Sequence, residues 1–358
     1  MELGYFLMPV HPPEKDFTQS LEEDLELIVR AEALGYSEAW IGQHHSVKWE
    51  PMPSNDVFIA NAMARTSTIK FGTGVTIAPF HHPVNVAVRL SMLDHLSRGR
   101  LMCGFGQTGI PTDLSLFDLP ADPRTLGLMT VESINMVLKL WTTDAPFDFK
   151  GDYWHIHIDE TRPDIGMGQI LRPYQKPHPP VAMAILKGTS MAARMAGQRG
   201  FLPVSTNLVP MSTLAQHWET FSAGAAEAGR DAPDRRDWRV ARNIFVGEST
   251  EEAFDFALNS AFGQSFEYLI KLIGPGRLDG WKEDPDMPDE EVTAEYAVRR
   301  LAIVGDAEEC TRRLQEIYDL TGGFGTLLAI GHDWDDKPRW LRSMELLKNE
   351  VIPAIGDS

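Results

Sequence analysis

The fold is decided by the stretch IKFGTGVTIAPFHHPVNVAVRLSMLDHLSRGRLMCGFG, residues 69–106. It opens with an apolar run, 69–78, that predicts a buried strand. Pro83 fits the first turn of a helix, where its missing N–H would be unbonded anyway. Apolar side chains then recur at helical spacing, at Val86, Leu90 and Leu93. A second apolar run, 100–106, completes the strand–helix–strand order that is typical of a parallel sheet.

The same alternation extends over almost the whole chain. Eight apolar runs are separated by helical patterns, at 3–8, 38–42, 69–78, 100–106, 180–186, 201–205, 238–247 and 324–331. Eight strands that alternate with helices predict an α/β fold, a (β/α)8 TIM barrel. We predict one domain, 1–358, with long insertions after the fourth helix, at 142–179, and between the seventh and eighth strands, at 262–300. The second insertion is expected to be a lid.

The net charge, the cysteines and the hydropathy of the sequence exclude several kinds of partner and site. The formal net charge is −18, from 33 basic and 51 acidic residues, which argues against nucleic acid because phosphate backbones are bound by clustered Lys and Arg. Cys103 and Cys310 lie far apart and predict neither a disulfide framework nor a metal site. No leader pattern and no apolar run near 18 residues is visible. We expect a soluble cytoplasmic protein without a membrane partner.

Two adjacent histidines, His44 and His45, directly follow the second strand candidate. Active sites of (β/α)8 barrels lie at the carboxyl ends of the strands. Neighbouring side chains alternate in direction near a strand end, so one ring can face the central pocket while the other points away. The alternative is a pair of loop histidines that bond backbone groups.

The motif GFGQTG, residues 104–109, matches G-x-G-x-x-G after a strand candidate. A dinucleotide fingerprint also requires a helix to follow at once. The next residues contain Pro111 and an irregular pattern, which we interpret as not opening a helix. The glycines still allow the backbone to approach a ligand.

The segment KGTSMAARMAGQRG, residues 187–200, predicts a strand end followed by a helix start. Thr189 or Ser190 can serve as the N-cap. The exposed N–H groups there, with Lys187 and the positive end of the helix dipole, would suit a phosphate. Arg124, at the start of the fourth helix, could add a bidentate anchor. Ordinary capping and a surface arginine are the alternative.

Further histidines do not predict a metal centre. His81 and His82 follow the third strand candidate, and the run HIH at 155–157 alternates as a strand-like ribbon does. No carboxylate accompanies them at short spacing, so we predict loop histidines instead of metal ligands. An apolar pocket could be lined by Trp40, Trp49, Phe80, Phe105, Trp154 and Met183. At least half of these are expected to be core packing.

Taken together, several motifs resemble one known family. LGYFLMP (3–9), GQHHS (42–46), LSMLDHLSRGRLMCGFGQTG (90–109) and PYQKPHPPVAM (173–183) are similar to the bacterial luciferase-like flavin monooxygenases. The resemblance covers residues 1 to about 205 and resumes in GGFGTLLAIGHDW near the end. Within the family the chain is similar to the limonene and diketocamphane monooxygenase types.

This resemblance implies an activity. Such a barrel binds FMN in its reduced form, FMNH2, supplied by a separate NAD(P)H:flavin reductase. Oxygen adds to give a flavin C4a-(hydro)peroxide, and one oxygen atom passes to an apolar organic substrate, either a terpenoid, a cyclic ketone or an aldehyde. The resemblance also implies a homodimer. His44 matches the family's active-site histidine, whose ring can manage a proton near neutral pH.

The remaining site residues are carried over by position. Gly74 and Val75 match the site of an unusual peptide bond under the isoalloxazine, with Thr76 and Met183 as further cofactor contacts. Arg124 and the run Gly188, Thr189 and Ser190 match the family's phosphate-binding positions. Luciferases have an arginine at the position of Gln107. Without that arginine, phosphate binding is expected to depend more on Arg124, Lys187 and the helix terminus.

Three alternatives stay open at this point. A deazaflavin (F420)-dependent oxidoreductase would use the same barrel for hydride transfer, although its polyanionic cofactor would favour more basic residues at the barrel mouth. A metal-dependent barrel hydrolase is the second alternative. A flavin-binding relative without turnover is the third, and Gln107 is compatible with it.

Overall fold

Strands and helices alternate in the computed structural model, which describes residues 1–8 and 10–356. The strands are β1 (Glu2–Leu7), β2 (Glu38–Ile41), β3 (Lys70–Thr73), β4 (Thr76–Ile77), β5 (Leu101–Gly106), β6 (Phe147–Lys150), β7 (His155–Ile158), β8 (Val181–Ile185), β9 (Leu202–Ser205), β10 (Arg239–Arg242), β11 (Ile244–Val246), β12 (Ile303–Gly305) and β13 (Thr326–Ile330). The helices are α1 (Phe17–Ala33), α2 (Asn55–Ala64), α3 (Pro83–Ser97), α4 (Pro111–Leu116), α5 (Pro123–Thr142), α6 (Met191–Arg199), α7 (Met211–Glu227), α8 (Thr250–Asn259), α9 (Ala261–Ile273), α10 (Ala294–Tyr296), α11 (Ala307–Thr321) and α12 (Lys337–Leu346).

The main sheet is a closed parallel barrel. Its strand order is β3-β2-β1-β13-β10-β9-β8-β5-β4, and an additional pairing between β3 and β5 closes it. With β3 and β4 counted as one interrupted strand, the barrel has eight strands, each near a predicted run. The predicted (β/α)8 TIM barrel is therefore confirmed. Functional side chains are expected at the carboxyl ends of these strands.

The chain divides into two compact units. Unit 1 comprises Met1–Trp40, Val47–Pro51 and Ala182–Ser358, and unit 2 comprises Ile41–Ser46 and Met52–Val181. The prediction of one domain over 1–358 stays a prediction. Among the described residues, no helix combines the length and the apolar character needed to cross a membrane. Cys103 and Cys310 are both buried free thiols.

In unit 2, the third predicted strand is interrupted. The run 69–78 forms β3 and β4, with a cis peptide bond between Gly74 and Val75. The amide of Gly74 donates to the carbonyl oxygen of Ile41 at 2.7 Å. The prediction of one continuous strand over 69–78 was thus wrong, because the backbone leaves the hydrogen-bonding ladder of the sheet at Gly74.

Two further features of unit 2 differ from expectation or refine it. The interpretation that Pro111 opens no helix was wrong, since α4 begins at that residue. Proline is tolerated at the first helical position because its fixed φ is helical and its missing N–H has no partner there. The insertion 142–179 contains an antiparallel hairpin of β6 and β7, which confirms the ribbon predicted for HIH.

In unit 1, the predicted insertion at 262–300 is partly regular. It begins inside α9, whose N-cap Ser260 accepts from the amide of Phe262. The run 238–247 also splits, since β10 joins the barrel while β11 pairs with β12 in a separate two-stranded sheet. The helical spacing of the apolar residues in Ala261–Ile273 was a signal for this helix that the sequence analysis did not use.

A buried ionic cluster ties β1 to β13 within unit 1. His11 lies just past β1 and its ring contacts Asp333 at 2.6 Å and Asp24 at 3.2 Å. The Nζ of Lys15 also donates a hydrogen bond to the carboxylate of Asp333. Burial opposes protonation of His11, but the two carboxylates outweigh it and raise its pKa from 6.5 to about 9. The cluster therefore holds a proton on His11 in the folded state.

The free energy of unfolding should fall as pH rises above neutrality. The pKa of His11 is higher in the folded state than in the unfolded state, where it is about 6.5. Protonated His11 therefore stabilises the fold fully below pH 6.5, and this stabilisation is lost as pH approaches 9. Between pH 6.5 and 8.5 we expect the free energy of unfolding to fall by about 2 kcal/mol. Urea unfolding followed by tryptophan fluorescence measures it. His11→Gln should flatten the dependence, and an equally steep slope in that variant would contradict the assignment.

Candidate active site

His44 lies three residues beyond β2, in unit 2, as the sequence predicted for a residue at the barrel's carboxyl face. Its backbone amide donates to the carbonyl oxygen of Met52 at 3.0 Å. Its Nδ1 lies 3.4 Å from the Oδ2 of Asp113. The Asp113 side chain is fully buried, while that of His44 is 17% exposed. The pair thus consists of a buried carboxylate and a partly accessible ring.

Asp113 also holds the two residues that follow His44. Its carboxylate accepts from the amide of His45 at 3.2 Å, and from the amide and hydroxyl of Ser46 at 2.7 and 2.5 Å. Burial favours the neutral acid, but the hydrogen bonds from His44, Ser46 and His45 outweigh it and lower the pKa of Asp113 to about 2. Asp113 is therefore an anion at neutral pH that fixes the loop 44–46.

Sequence reasoning missed Asp113. It occupies the third position of α4, two residues after Pro111. Proline at the first position and an acid in the first turn together are a helix-start signal that we did not use. Its pairing with His44 joins residues 69 positions apart, which a single sequence does not show.

The ring of His45 lies in an aromatic cluster. It packs edge-on against Phe80 and Phe117, at centroid distances of 5.0 and 4.9 Å. Phe80 and Phe117 stack on each other at 4.1 Å. Burial lowers the pKa of His45. His45 is consequently a neutral ring in an aromatic cluster.

The backbone at Gly74 and Val75 is held beside the end of β2, also in unit 2. The Asn55 side-chain amide donates to the carbonyl oxygens of Ile41 and Val75, both at 3.1 Å. On the other side, a Cβ added at Gly106 would lie 2.7 Å from the Cγ2 of Val75. The cis peptide and His44 therefore lie at neighbouring strand ends. Thr76, the next predicted contact, is buried in β4.

The other two cofactor candidates of unit 2 lie on its surface. Arg124 is the second residue of α5, whose N-cap Asp122 accepts from the amides of Arg124 and Thr125. Gln107 directly follows β5 and is exposed. The Cβ of an alanine at Gly109 would meet no atom within 4 Å, so there is open space beside this segment.

Unit 1 brings together the remaining cofactor candidates at the end of β8 and the start of α6. Ser190 is the N-cap, and its hydroxyl accepts from the amides of Ala192 and Ala193. Lys187 and Thr189 are exposed and Gly188 is half-buried, whereas Met183 is buried within β8. A Cβ at Gly188 would meet the Oε1 of the Gln216 side chain, which would have to move aside.

His81, His82 and two of the aromatic candidates, Trp40 and Phe105, have ordinary structural surroundings. His82 is the N-cap of α3 and its Nδ1 accepts from the amide of Val84 at 3.3 Å. Burial lowers the pKa of His81 to about 4. Trp40 and Phe105 are fully buried. Over residues 1–8 and 10–356, no group of three or more His, Cys, Asp or Glu side chains could hold a metal ion.

Comparison with known proteins agrees with this geometry. The family model described as luciferase-like monooxygenase matches residues 1–323. The chain belongs to the luciferase-like monooxygenase family. The family resemblance of the sequence is thereby confirmed.

Individual relatives of this luciferase-like protein are similar over its full length. It is 35% identical to 4-hydroxyprotoasukamycin monooxygenase of Streptomyces nodosus subsp. asukaensis, covering 100% of this chain and 93% of the relative. It is 30% identical to limonene 1,2-monooxygenase of Rhodococcus erythropolis, covering 99% and 86%. The oxygenating constituent of 3,6-diketocamphane monooxygenase from Pseudomonas putida, a type II Baeyer–Villiger monooxygenase solved with FMN, superimposes with a TM-score of 0.90 at 29% identity, covering 99% and 98%.

Gly106 should tolerate no side chain. In Gly106→Ala the new methyl would lie 2.7 Å from the Cγ2 of Val75, and Val75 has to shift to relieve that contact. Overpacking of this kind costs about 1–3 kcal/mol, so the melting temperature should fall by several degrees. Gly109→Ala is the matched control because its methyl enters open space. Equal melting temperatures for the two variants would show that Val75 yields freely.

Proposed function

We propose that this luciferase-like protein is an FMNH2-dependent, two-component monooxygenase that inserts one oxygen atom from O2 into an apolar organic substrate. The proposal rests chiefly on one observation, the His44–Asp113 pair beside the cis peptide of Gly74 and Val75. It is supported by the similar Pseudomonas putida structure, which contains FMN.

The residues around Gly74 suit a flavin ring. Two features hold the backbone there: Asn55 fixes the carbonyl oxygens of Ile41 and Val75, and the missing Cβ of Gly106 leaves room for Val75. A planar ring needs close access to backbone, which glycine provides. We propose that Gly74, Val75 and Thr76 contact the isoalloxazine, with Gln107 and Met183 as further contacts.

For the cofactor phosphate we propose the start of α6, together with Arg124. Lys187 supplies a positive charge just before this helix start, and Gly188, Thr189 and Ser190 supply backbone N–H groups and hydroxyls. The helix dipole favours an anion at this end. Arg124 would contribute a bidentate guanidinium. Its own surroundings, at the capped start of α5, are compatible with that role.

His44 is the proposed catalytic residue. Bound FMNH2 supplies the reducing electrons that activate O2, chemistry that no side chain can perform. Asp113 orients the His44 ring through Nδ1. Nε2, the nitrogen on the opposite edge of the ring, is the atom proposed to exchange a proton with the reacting oxygen. An imidazole ring can both accept and release a proton, which is the role proposed for His44.

The proposed substrate class rests on the family resemblance and on the names of the relatives. Limonene, a diketocamphane and 4-hydroxyprotoasukamycin appear in the names of the similar monooxygenases. We propose a terpenoid, a cyclic ketone or an aldehyde as substrate.

A separate NAD(P)H:flavin reductase is the proposed partner. The solved relative is itself described as an oxygenating constituent, and a trigonelline monooxygenase relative, 26% identical, is named as an oxygenase component. A homodimer and a cytoplasmic location stay predictions. So does the lid role of 262–300.

The deazaflavin alternative has less support. An F420-dependent secondary alcohol dehydrogenase superimposes with a TM-score of 0.73 but is 20% identical, so it shares the fold alone. The only basic side chain in the run 187–193 is Lys187, and a polyanionic tail would favour more.

The His44→Ala variant tests the proposal. With a flavin reductase, NADH and a panel of cyclic ketones and terpenes, wild-type protein should form product in proportion to O2 consumed. His44→Ala should lower product per O2 by about 10²–10⁴-fold, the usual contribution of a positioned acid or base, while its unfolding curve changes little. Product is measured by gas chromatography and O2 by electrode.

His82→Ala is the matched control, because it removes a histidine that only caps α3. Its product per O2 should equal that of wild type. Unchanged coupling in His44→Ala would remove His44 from the mechanism. Product formation without flavin would contradict the proposed function as a whole.

A further inference from the structure

Arg242, the last residue of β10, is a buried cation without a compensating acid. Its side chain is 1% exposed. Its Nη1 donates only to carbonyl oxygens, those of Thr206, Asn207 and Ala241, each at 3.3 Å. Within the part of the chain that the structure describes, no carboxylate pairs with it, and its Nε and Nη2 have no hydrogen-bond partner. Buried charges are normally paired, because an uncompensated one is costly.

A second unpartnered donor lies next to it, on α7. His217 is fully buried and its Nδ1 contacts the Ser205 hydroxyl at 2.9 Å, while its Nε2 has no partner. Trp238 donates to the same hydroxyl at 2.8 Å. We therefore assign the Ser205 proton to Nδ1, which leaves the hydrogen of the neutral ring on Nε2. Because Ser205 and Thr206 are consecutive, His217 and Arg242 meet at the same end of β9.

The electrostatics of this place favour an anion. Burial lowers the pKa of Arg242 to about 9, with a further contribution from Arg313 on α11, so Arg242 remains charged at neutral pH. Burial also lowers the pKa of His217 to about 4, and Arg242 adds to that effect. The Nη2 of Arg313 donates to the carbonyl oxygen of Arg299. Arg242 thus lies within electrostatic range of a second guanidinium and of a buried N–H donor.

We propose that Arg242 Nε and Nη2, with His217 Nε2, bind a small inorganic anion of chloride size between β10 and the helices α7 and α11. Four features carry the proposal: complete burial, positive charge, donors without acceptors, and the absence of a paired acid within the described residues. A halide is the class that fits, because the groups are too enclosed for an organic anion. The bound anion is expected to stabilise the packing of α7 and α11 on the barrel.

Bromide is the direct probe. Crystals of the full chain grown in sodium bromide should show an anomalous peak within hydrogen-bond distance of Arg242 Nε or Nη2. In solution, replacing sodium gluconate by sodium chloride at constant ionic strength should raise the melting temperature by roughly 2–4 °C, as binding only to the folded state requires. Ordered water without an anomalous peak, or a melting temperature independent of the anion, would overturn the proposal.

Arg242→Met should abolish the response to chloride. Arg239→Met is the matched control, since Arg239 lies on the same strand and is buried but pairs with Glu38. That variant should melt at a lower temperature and keep the chloride response. An identical loss of response in both variants would contradict a specific role for Arg242. If Arg242→Met fails to fold, the bromide crystal and the wild-type chloride series decide the question.

Discussion

The carboxylate of Asp113 is the constraint on which the active-site end of β2 depends. It is fully buried and ionised, and its hydrogen bonds come from three consecutive residues, His44, His45 and Ser46. A buried anion needs such donors, because desolvation without them costs several kcal/mol. The donors in turn lock the loop conformation. The charge of one side chain thereby determines where the histidine ring lies.

The interrupted third strand is the complementary backbone constraint. Barrel strands normally continue their ladder, whereas this one turns at Gly74 and presents a cis peptide. Asn55 fixes the adjacent carbonyl oxygen, and Gly106 leaves room for Val75. The His44 ring and the cis peptide thus lie at neighbouring strand ends, which is the arrangement that the proposed cofactor site requires.

The sequence predicted the barrel because its signal is local and repeated. Runs such as 100–106 and 324–331 are continuous apolar segments with helical patterns between them, and burial on both faces of a parallel strand produces that composition. His44 was predictable for the same reason, since its position follows from the end of β2. The Ser190 cap depends on nearby residues only, and it was also predicted.

What the sequence did not show depends on distant or subtle contacts. Asp113 was missed because its partners lie almost 70 positions earlier in the chain. The helix at Pro111 was missed because proline was read as a breaker when it occupied the first position. The unpaired Arg242 is a property of the folded packing that no pattern of apolar spacing encodes. The interruption at Gly74 was not visible in the apolar spacing either, but the family resemblance located an unusual peptide bond there, and the cis bond confirms it.

The central claim is that this barrel binds reduced FMN and uses it with O2. Anaerobic titration of the purified protein with FMNH2 and, separately, with reduced F420 tests it most directly. The account predicts saturable binding of FMNH2, no binding of F420, and, on mixing with aerated buffer, protein-dependent oxidation of the bound flavin. Binding of F420 with no binding of FMNH2 would contradict it.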